Sequence, residues 1–184
     1  MGHVELIAAA ADQQSVVANL LELYIHDFTE FLHVELGPDG RFAYTDLPLY
    51  WSEPDRYPFL IKVEGELAGL ALVKKGRSEI SSEVVWDVGE FFVVRGYRRK
   101  GIGAKAAHEL WTRLPGSWEV RVMQSNRAAL NFWQHAVNAF KHEVIEPLYA
   151  YVDKSGKSWD VFAFESEPVI RLGSASTSSE QDSD

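Results

Sequence analysis

The chain has 184 residues, 46% of them hydrophobic and 12% aromatic, which suffices for one domain with a packed core. Its net charge of −9 argues against general nucleic-acid binding, and no apolar run is long enough to cross a bilayer, so no membrane partner is expected. Cysteine is absent, which excludes disulfides, thiolate nucleophiles and cysteine-ligated metals.

The first residues show no basic segment followed by an apolar one, so the expected compartment is the cytoplasm. Residues 4–10 read as a short apolar strand. Asp12 is placed to cap a helix reaching about Leu32. Its apolar positions Val16, Val17, Leu20, Leu21, Tyr24, Ile25, Phe28, Phe31 and Leu32 keep a helical rhythm. Gly37-Pro38-Asp39-Gly40 is turn chemistry. Residues 42–57, with Pro48, Pro54, Phe42, Tyr44, Tyr50 and Trp51, read as a structured loop holding one short helix. Residues 59–63 and 67–74 form a hairpin turned at Glu64-Gly65-Glu66.

Residues 84–94 read as a longer strand in which Gly89 marks a bulge or a close backbone approach. A helix over 104–114 is stopped by Pro115-Gly116. A strand over 118–123 leads to a helix that Ser125 or Asn126 can cap. That helix runs to about Ala136 and buries Ala129, Phe132, Trp133 and Ala136. Residues 141–152 and 158–164 are strand-like around a turn at Asp153-Lys154-Ser155-Gly156. From Gly173 the chain is polar and is expected to be a disordered tail, which leaves residues 1–172 as the domain.

Charge is unevenly placed. Between Glu22 and Asp55 eight acids stand against Arg41 alone, a balance of −7; from Arg95 to Lys105 there are five cations and no acid. The first region suits a cation, or simply faces solvent; the second suits an anion. Within the second lies Arg98-Arg99-Lys100-Gly101-Ile102-Gly103, between a strand and a helix start. Glycines let backbone amides approach a ligand closely. The first amides of a helix lack intrahelical partners, and the helix dipole favours an anion there. The turn is therefore a candidate phosphate or pyrophosphate site. It lacks the Gly-x4-Gly-Lys-Ser/Thr pattern of a Walker loop. Gly101, Gly103 and Ala106 satisfy a dinucleotide pattern, with Glu119 at a tolerable distance for a ribose, but the preceding helix and hairpin are out of place for that fold.

The run from Glu90 to Gly103 closely resembles motif A of the GNAT N-acetyltransferase superfamily, whose Gln/Arg-x-x-Gly-x-Gly/Ala pattern falls on Arg98, Gly101 and Gly103. Asn126, Ala129, Phe132 and Trp133 resemble the family's Asn-x-x-Ala-x-x-aromatic-aromatic segment, and the order of elements agrees. The resemblance implies an α/β fold with a mixed, mostly antiparallel central sheet flanked by helices. It implies acetyl-CoA, or another acyl-CoA, as co-substrate, with no metal. The amides of Arg99, Lys100, Gly101, Ile102, Gly103 and Ala104 would hold its pyrophosphate. Arg98, Arg99, Lys100 and Lys105 would add charge. Phe91, Phe92 and Val93 would pair with pantetheine as a false strand, and Asn126 would contact the cofactor or serve as a plain cap.

The resemblance further implies direct transfer to an amine, a small molecule or peptide and on the −7 balance a cationic one. The acceptor site would be built by the first helix, the aromatic loop and residues 149–151. Glu90 is the expected base, with an amide of Phe92 or Val93 polarising the acyl oxygen. One departure stands out. Trp133 occupies the position where many members carry a tyrosine that protonates the leaving thiolate. Tyr97, Tyr149, Tyr151 or water would have to replace it, and a catalytically silent acyl-CoA-binding domain becomes the rival reading. Trp133 itself reads as packing against pantetheine or core. His26 and His33, like His135 and His142, are seven apart, not the spacing of a helical zinc pair. A homodimer is expected only by analogy.

Overall fold

The computed structural model describes residues 2–78, 80–148 and 150–168; Tyr149 and the tail expected from Gly173 lie outside the described residues. Strands β1 (Val4–Ala8), β2 (Arg56–Val63), β3 (Glu66–Arg77) and β4 (Val84–Val93) run antiparallel to one another. β5 (Gly116–Met123) joins β4 in parallel, and β6 (Ala150–Val152) and β7 (Ser158–Ser166) complete one sheet in the order β1-β2-β3-β4-β5-β7-β6. Glu64 and Gly65, with φ of 51° and 82°, make the two-residue turn of the β2–β3 hairpin, the handedness that suits twisted strands.

Helix α1 (Gln14–Phe28) buries Val17, Leu20, Leu21 and Ile25, a single apolar stripe. Its ends differ from the sequence reading. Asp12 does not cap it but sits in a 3-10 turn (Ala11–Gln13), where Gln13 Oε1 accepts the Ala10 N–H at 3.0 Å. Nor does the helix reach Leu32. After Phe28 the chain tightens into a turn, with Phe31 N–H on Phe28 O and the Thr29 hydroxyl on His26 O. The aromatic loop holds the short helix α2 (Leu49–Ser52), pinned by Trp51 Nε1 donating to Ala9 O at 2.9 Å.

Helix α3 (Ile102–Arg113) begins two residues earlier than expected, and α4 (Arg127–Lys141) runs five residues past Ala136. Val137 and Phe140 extend its apolar stripe, and His142, at φ 56°, ends it. Of the strand expected over 141–152 only β6 exists. Side chains of α4 take the backbone groups a strand would pair: Gln134 Nε2 donates to Ile145 O, and Asn138 Oδ1 accepts from Ile145 N.

The core has two layers. On one face of the sheet, Ala106, Ala107, Leu110 and Trp111 of α3 and Trp133, Ala136 and Val137 of α4 pack on Val73, Trp86, Val88, Trp118, Val120 and Phe162. On the other, α1 and Tyr50 cover Leu60, Leu70, Leu72 and Phe92. Each fully buried Val, Leu or Phe side chain among these contributes about 1.5–3 kcal/mol. Beyond α1 and Tyr50, where β4 and β5 part, the second face carries the polar side chains Asp87, Glu119 and Arg121.

Two irregularities of β4 shape this region. β4 and β5 pair only at Trp86–Trp118 and Asp87–Glu119, then diverge. The register against β3 also slips, Val73 facing Val88 and Leu72 facing Glu90, so that Gly89 is the extra residue of a bulge. A Cβ at Gly89 would stand 3.0 Å from Tyr50 Oη and 3.3 Å from Leu72 O. Alternation without the bulge would set Asp87 and Glu90 on opposite faces; with it both face the α1 side.

Candidate functional site

The basic turn is built by backbone conformation. Arg99 (φ 60°) and Gly101 (φ 73°) are both left-handed, and Gly101 stands directly before α3. Nothing lies within 4 Å of a Cβ added at Gly101, so glycine serves the fold there and not the packing. Gly103 is different: a Cβ would meet the Phe132 ring at 3.1 Å, so its smallness lets α3 approach α4. The first intrahelical bond is Lys105 N–H to Gly101 O. The amides from Arg99 to Ala104 donate to no acceptor among the described residues. A run of open amides at the start of a twelve-residue helix is suited to an anion.

The cations at this turn divide into two groups. Arg98 is committed: Nε donates to Val93 O and Nη2 to Asp27 Oδ2, both at 2.6 Å, and its guanidinium lies over the Phe92 ring. Arg95 holds the other Asp27 oxygen. Lys100 Nζ donates to Gly96 O at 2.8 Å. Arg99 and Lys105 are exposed at the turn. The acidic segment 22–55 is thus tied to the basic one through Asp27. Two further acids are engaged, Glu22 accepting from Phe42 N and Glu53 from Arg56. Glu30, Glu35, Asp39, Asp46 and Asp55 face solvent.

Where β4 leaves β5, its outer edge is open. The Val94 N–H pairs with Ala68 O on β3. By antiparallel alternation Phe92 also points its main chain to β3, while Phe91 and Val93 point theirs into the split. Of the expected false-strand partners, Phe91 and Val93 therefore have the right direction and Phe92 does not. The Val93 carbonyl is covered by Arg98. Asn126, across the split at the start of α4, accepts the Ala129 N–H at 3.0 Å through Oδ1 and so acts as a helix cap. Trp133 is only 7% exposed, edge-on to Phe91 at 5.0 Å and to Phe132 at 4.8 Å. It is core, walling the split from the helix side.

Glu90 faces the opposite side, among three tyrosines. Tyr44 Oη donates to Glu90 Oε1 at 3.0 Å, and Tyr24 of α1 faces the same carboxylate. Burial raises the Glu90 carboxyl above its ordinary range, and the Tyr24 and Tyr44 hydroxyls pull it part of the way back. The phenols move up as well. Burial and then the Glu90 charge raise Tyr24 and Tyr44 well above the usual tyrosine range, and push Tyr50 up to about 12. These tyrosines are neutral hydrogen-bond donors at any working pH.

Beyond Glu90 on the same face, Arg121 of β5 grips Asp87 with two bonds, Nη2 to Oδ2 at 2.6 Å and Nε to Oδ1 at 3.2 Å. Its Nη1 donates to Tyr151 Oη at 3.3 Å, and Lys74 Nζ stands 3.4 Å from Asp87 Oδ2. Glu119, 4% exposed, accepts from the Ser78 hydroxyl, which gives it a structural partner in place of the ribose role weighed from the dinucleotide pattern. Tyr97 lines a different cavity, with Gly2, Val63 and Lys100, beside the turn. Among the described residues no group of His, Asp and Glu could hold a metal ion, and no helix is long and apolar enough to cross a membrane.

Sequence reasoning singled out Glu90 and the turn but did not bring Tyr24 to Glu90, since its spacing marks it as core. It also missed the Asp87–Arg121–Lys74 cluster, whose members lie on three strands. A second acid, Asp87, within the same largely apolar strand as Glu90 was the available signal.

The model of the acetyltransferase (GNAT) family matches residues 17–137. No curated protein matches the chain. Solved structures share its fold. An acetyltransferase from Thermus thermophilus aligns with a TM-score of 0.63 at 16% identity, over 89% of this chain and 100% of that one. Aminoglycoside N(6′)-acetyltransferase from Legionella pneumophila aligns at 0.62 and 13%, over 90% and 93%. NAA60 from Arabidopsis thaliana, in complex with acetyl-CoA, aligns at 0.61 and 13%, over 89% and 99%.

Proposed function

The chain belongs to the GNAT acetyltransferase family, and on that premise we propose that it transfers an acetyl group from acetyl-CoA directly to a primary amine, with Glu90 as the base. The observation that carries this reading is the placement of Glu90. It is a part-buried carboxylate on the strand that parts from β5, turned to the α1 side by the Gly89 bulge and held there by the Tyr44 hydroxyl. The open amides of Arg99 to Ala104 fit the pyrophosphate, and the outward main chain of Phe91 with the Val93 N–H fits the pantetheine arm.

Acetyl-CoA supplies the activated acyl group. An alkylamine of pKa about 10.4 must lose a proton before it attacks, at a cost of about 4–5 kcal/mol at neutral pH. Glu90, raised by burial, accepts that proton directly or through one water. The nitrogen then bonds to the acyl carbon, the carbon–sulfur bond breaks, and the thiolate leaves. The Val93 N–H, directed into the split, is the strand amide that can polarise the acyl oxygen. Trp133 is core and supplies no acid, and Tyr97 lines a different cavity. Water is the proton source for the leaving thiolate in this reading.

The test measures acetyl-CoA affinity and CoA release with a panel of amines. Turnover of any of them supports transfer. Tight acetyl-CoA binding with no turnover on any amine favours a silent binding domain, the reading that buried Trp133 motivates. NAD(P) binding without CoA binding would return the site to the dinucleotide reading.

A further inference from the structure

The Asp87–Arg121 pair sits at the fork of β4 and β5, on the Glu90 face, and lines a small cavity of about 190 Å³ with Lys74, Arg77 and Glu119. Three cations and two acids line it. Both acids are engaged: Asp87 takes two bonds from Arg121 and the charge of Lys74, and Glu119 takes the Ser78 hydroxyl. The donors are not used up. Arg121 has five N–H groups, three of them committed to Asp87 and Tyr151, and Lys74 has three, its one ion-pair partner among the described residues being Asp87. The Tyr151 hydroxyl accepts from Arg121 and keeps its own proton to give. The cavity is therefore left with surplus donors and surplus positive charge, which suits an anion. Reach sets its size. Lys74 pairs with Asp87, and Leu72 pairs with Glu90, so the two stations lie two residues apart along β3 on one face, about 7 Å. They adjoin closely enough for the charges of Asp87 and Lys74 to act on the Glu90 carboxyl.

We propose that the acceptor carries a carboxylate about 7 Å from its reacting nitrogen, held by Lys74 and Arg121 while the nitrogen lies at Glu90. This rests on the reading of Glu90 as the reaction centre, and names the acceptor class that reading leaves open. The −7 balance of the acidic segment does not oppose it, because that segment's free acids face solvent rather than this cavity.

Three amines of matched chain length, 6-aminohexanoate, hexylamine and 1,6-diaminohexane, differ only in what the far end carries. With the full chain and acetyl-CoA, kcat/KM for 6-aminohexanoate should exceed the other two by about tenfold, the effect of one charge-assisted hydrogen bond. In Lys74→Met the ratio should fall toward one. Equal or better use of hexylamine or the diamine overturns the proposal. Hexanoate, which cannot be acetylated, provides a readout independent of turnover. It should bind saturably to the wild-type chain and several-fold more weakly to Lys74→Met. Absence of saturable hexanoate binding overturns the subsite. Hexanoate binding in a protein that acetylates no amine counts against the transferase reading and leaves the subsite standing.

Discussion

Asp27 Oδ2 accepts a hydrogen bond from Arg98 Nη2 at 2.6 Å, across 71 residues of chain, and so ties the end of α1 to the first residue of the basic turn. Partial burial raises the Asp27 carboxyl, but the Arg98 and Arg95 guanidiniums outweigh it and hold the group below the usual carboxylate range. A depressed folded-state pKa means stability that is present above the unfolded value of about 3.9 and is lost as pH falls below it. Asp27→Asn should therefore lower Tm at pH 7 and lose that deficit by about pH 3. Because both arginines are well exposed, the loss should be small, about 0.5–1 kcal/mol. The more telling readout is acetyl-CoA affinity, expected to weaken several-fold as Arg98 is released. Unchanged affinity would mean that the tie does not support the turn.

Glu90→Gln separates catalysis from stability. The rate should fall by about 10²–10⁴, and the acid limb of the kcat/KM profile should disappear. A parent-like profile in the variant would remove Glu90 from the role of base. The stability change has the opposite sign. A carboxyl whose folded pKa is raised stabilises below its unfolded pKa, and that contribution is lost as pH rises through the folded one. The variant should thus match or exceed the parent in Tm at pH 7 to 8, the gap closing toward pH 4.

Tyr44→Phe tests the hydroxyl that acts on Glu90. The Tyr44 O–H pulls the carboxyl down against burial. Its removal should move the acid limb of the rate profile to higher pH. A shift to lower pH, or none, would mean that Tyr44 does not set the ionisation of Glu90.

What the sequence disclosed follows the range of each interaction. The β2–β3 hairpin, the bulge at Gly89 and the helix after Gly101 rest on local backbone chemistry and were legible. The orientation of Glu90 was not, although its candidacy was, because one bulge residue inverts every later side chain of the strand. Helix ends were misjudged where an unusual residue took the end position. Gln13 stands where Asp12 looked the better cap, and His142 takes the left-handed position that glycine normally marks. The strand expected over 141–152 failed because Gln134 and Asn138, polar residues on the preceding helix, reach back to satisfy Ile145. The ties of Asp27 to Arg98 and of Asp87 to Arg121 join distant segments, and no spacing announces them.

Trp133 stands where a catalytic tyrosine was weighed, and its burial predicts a packing phenotype. Trp133→Ala should cost about 3–5 kcal/mol of stability. Trp133→Phe should cost less and leave kcat within a few-fold at all pH values. A tyrosine at this position would place a hydroxyl among Phe91, Phe132 and Trp111, so Trp133→Tyr should destabilise without raising kcat. A faster Trp133→Tyr enzyme would show that the position faces the leaving group after all.

Gly101 permits a test in which strain and function are separated by a control. Gly101 (φ 73°) and Gly40 (φ 75°) hold the same left-handed conformation, and neither has any atom within 4 Å of an added Cβ. Alanine at either position should therefore meet no clash and cost about 1–2 kcal/mol through the backbone alone. Gly40 closes a turn in the loop between α1 and α2, its N–H on Gly37 O at 2.9 Å. Gly101 orients the run of open amides that precedes the helix. Chemical denaturation should give the two variants similar losses, while titration with acetyl-CoA should show several-fold weaker binding in Gly101→Ala only. Equal affinities would mean that the left-handed residue serves the fold and not the phosphate. A much larger stability loss in Gly101→Ala would mean that the turn is held by contacts other than its own backbone.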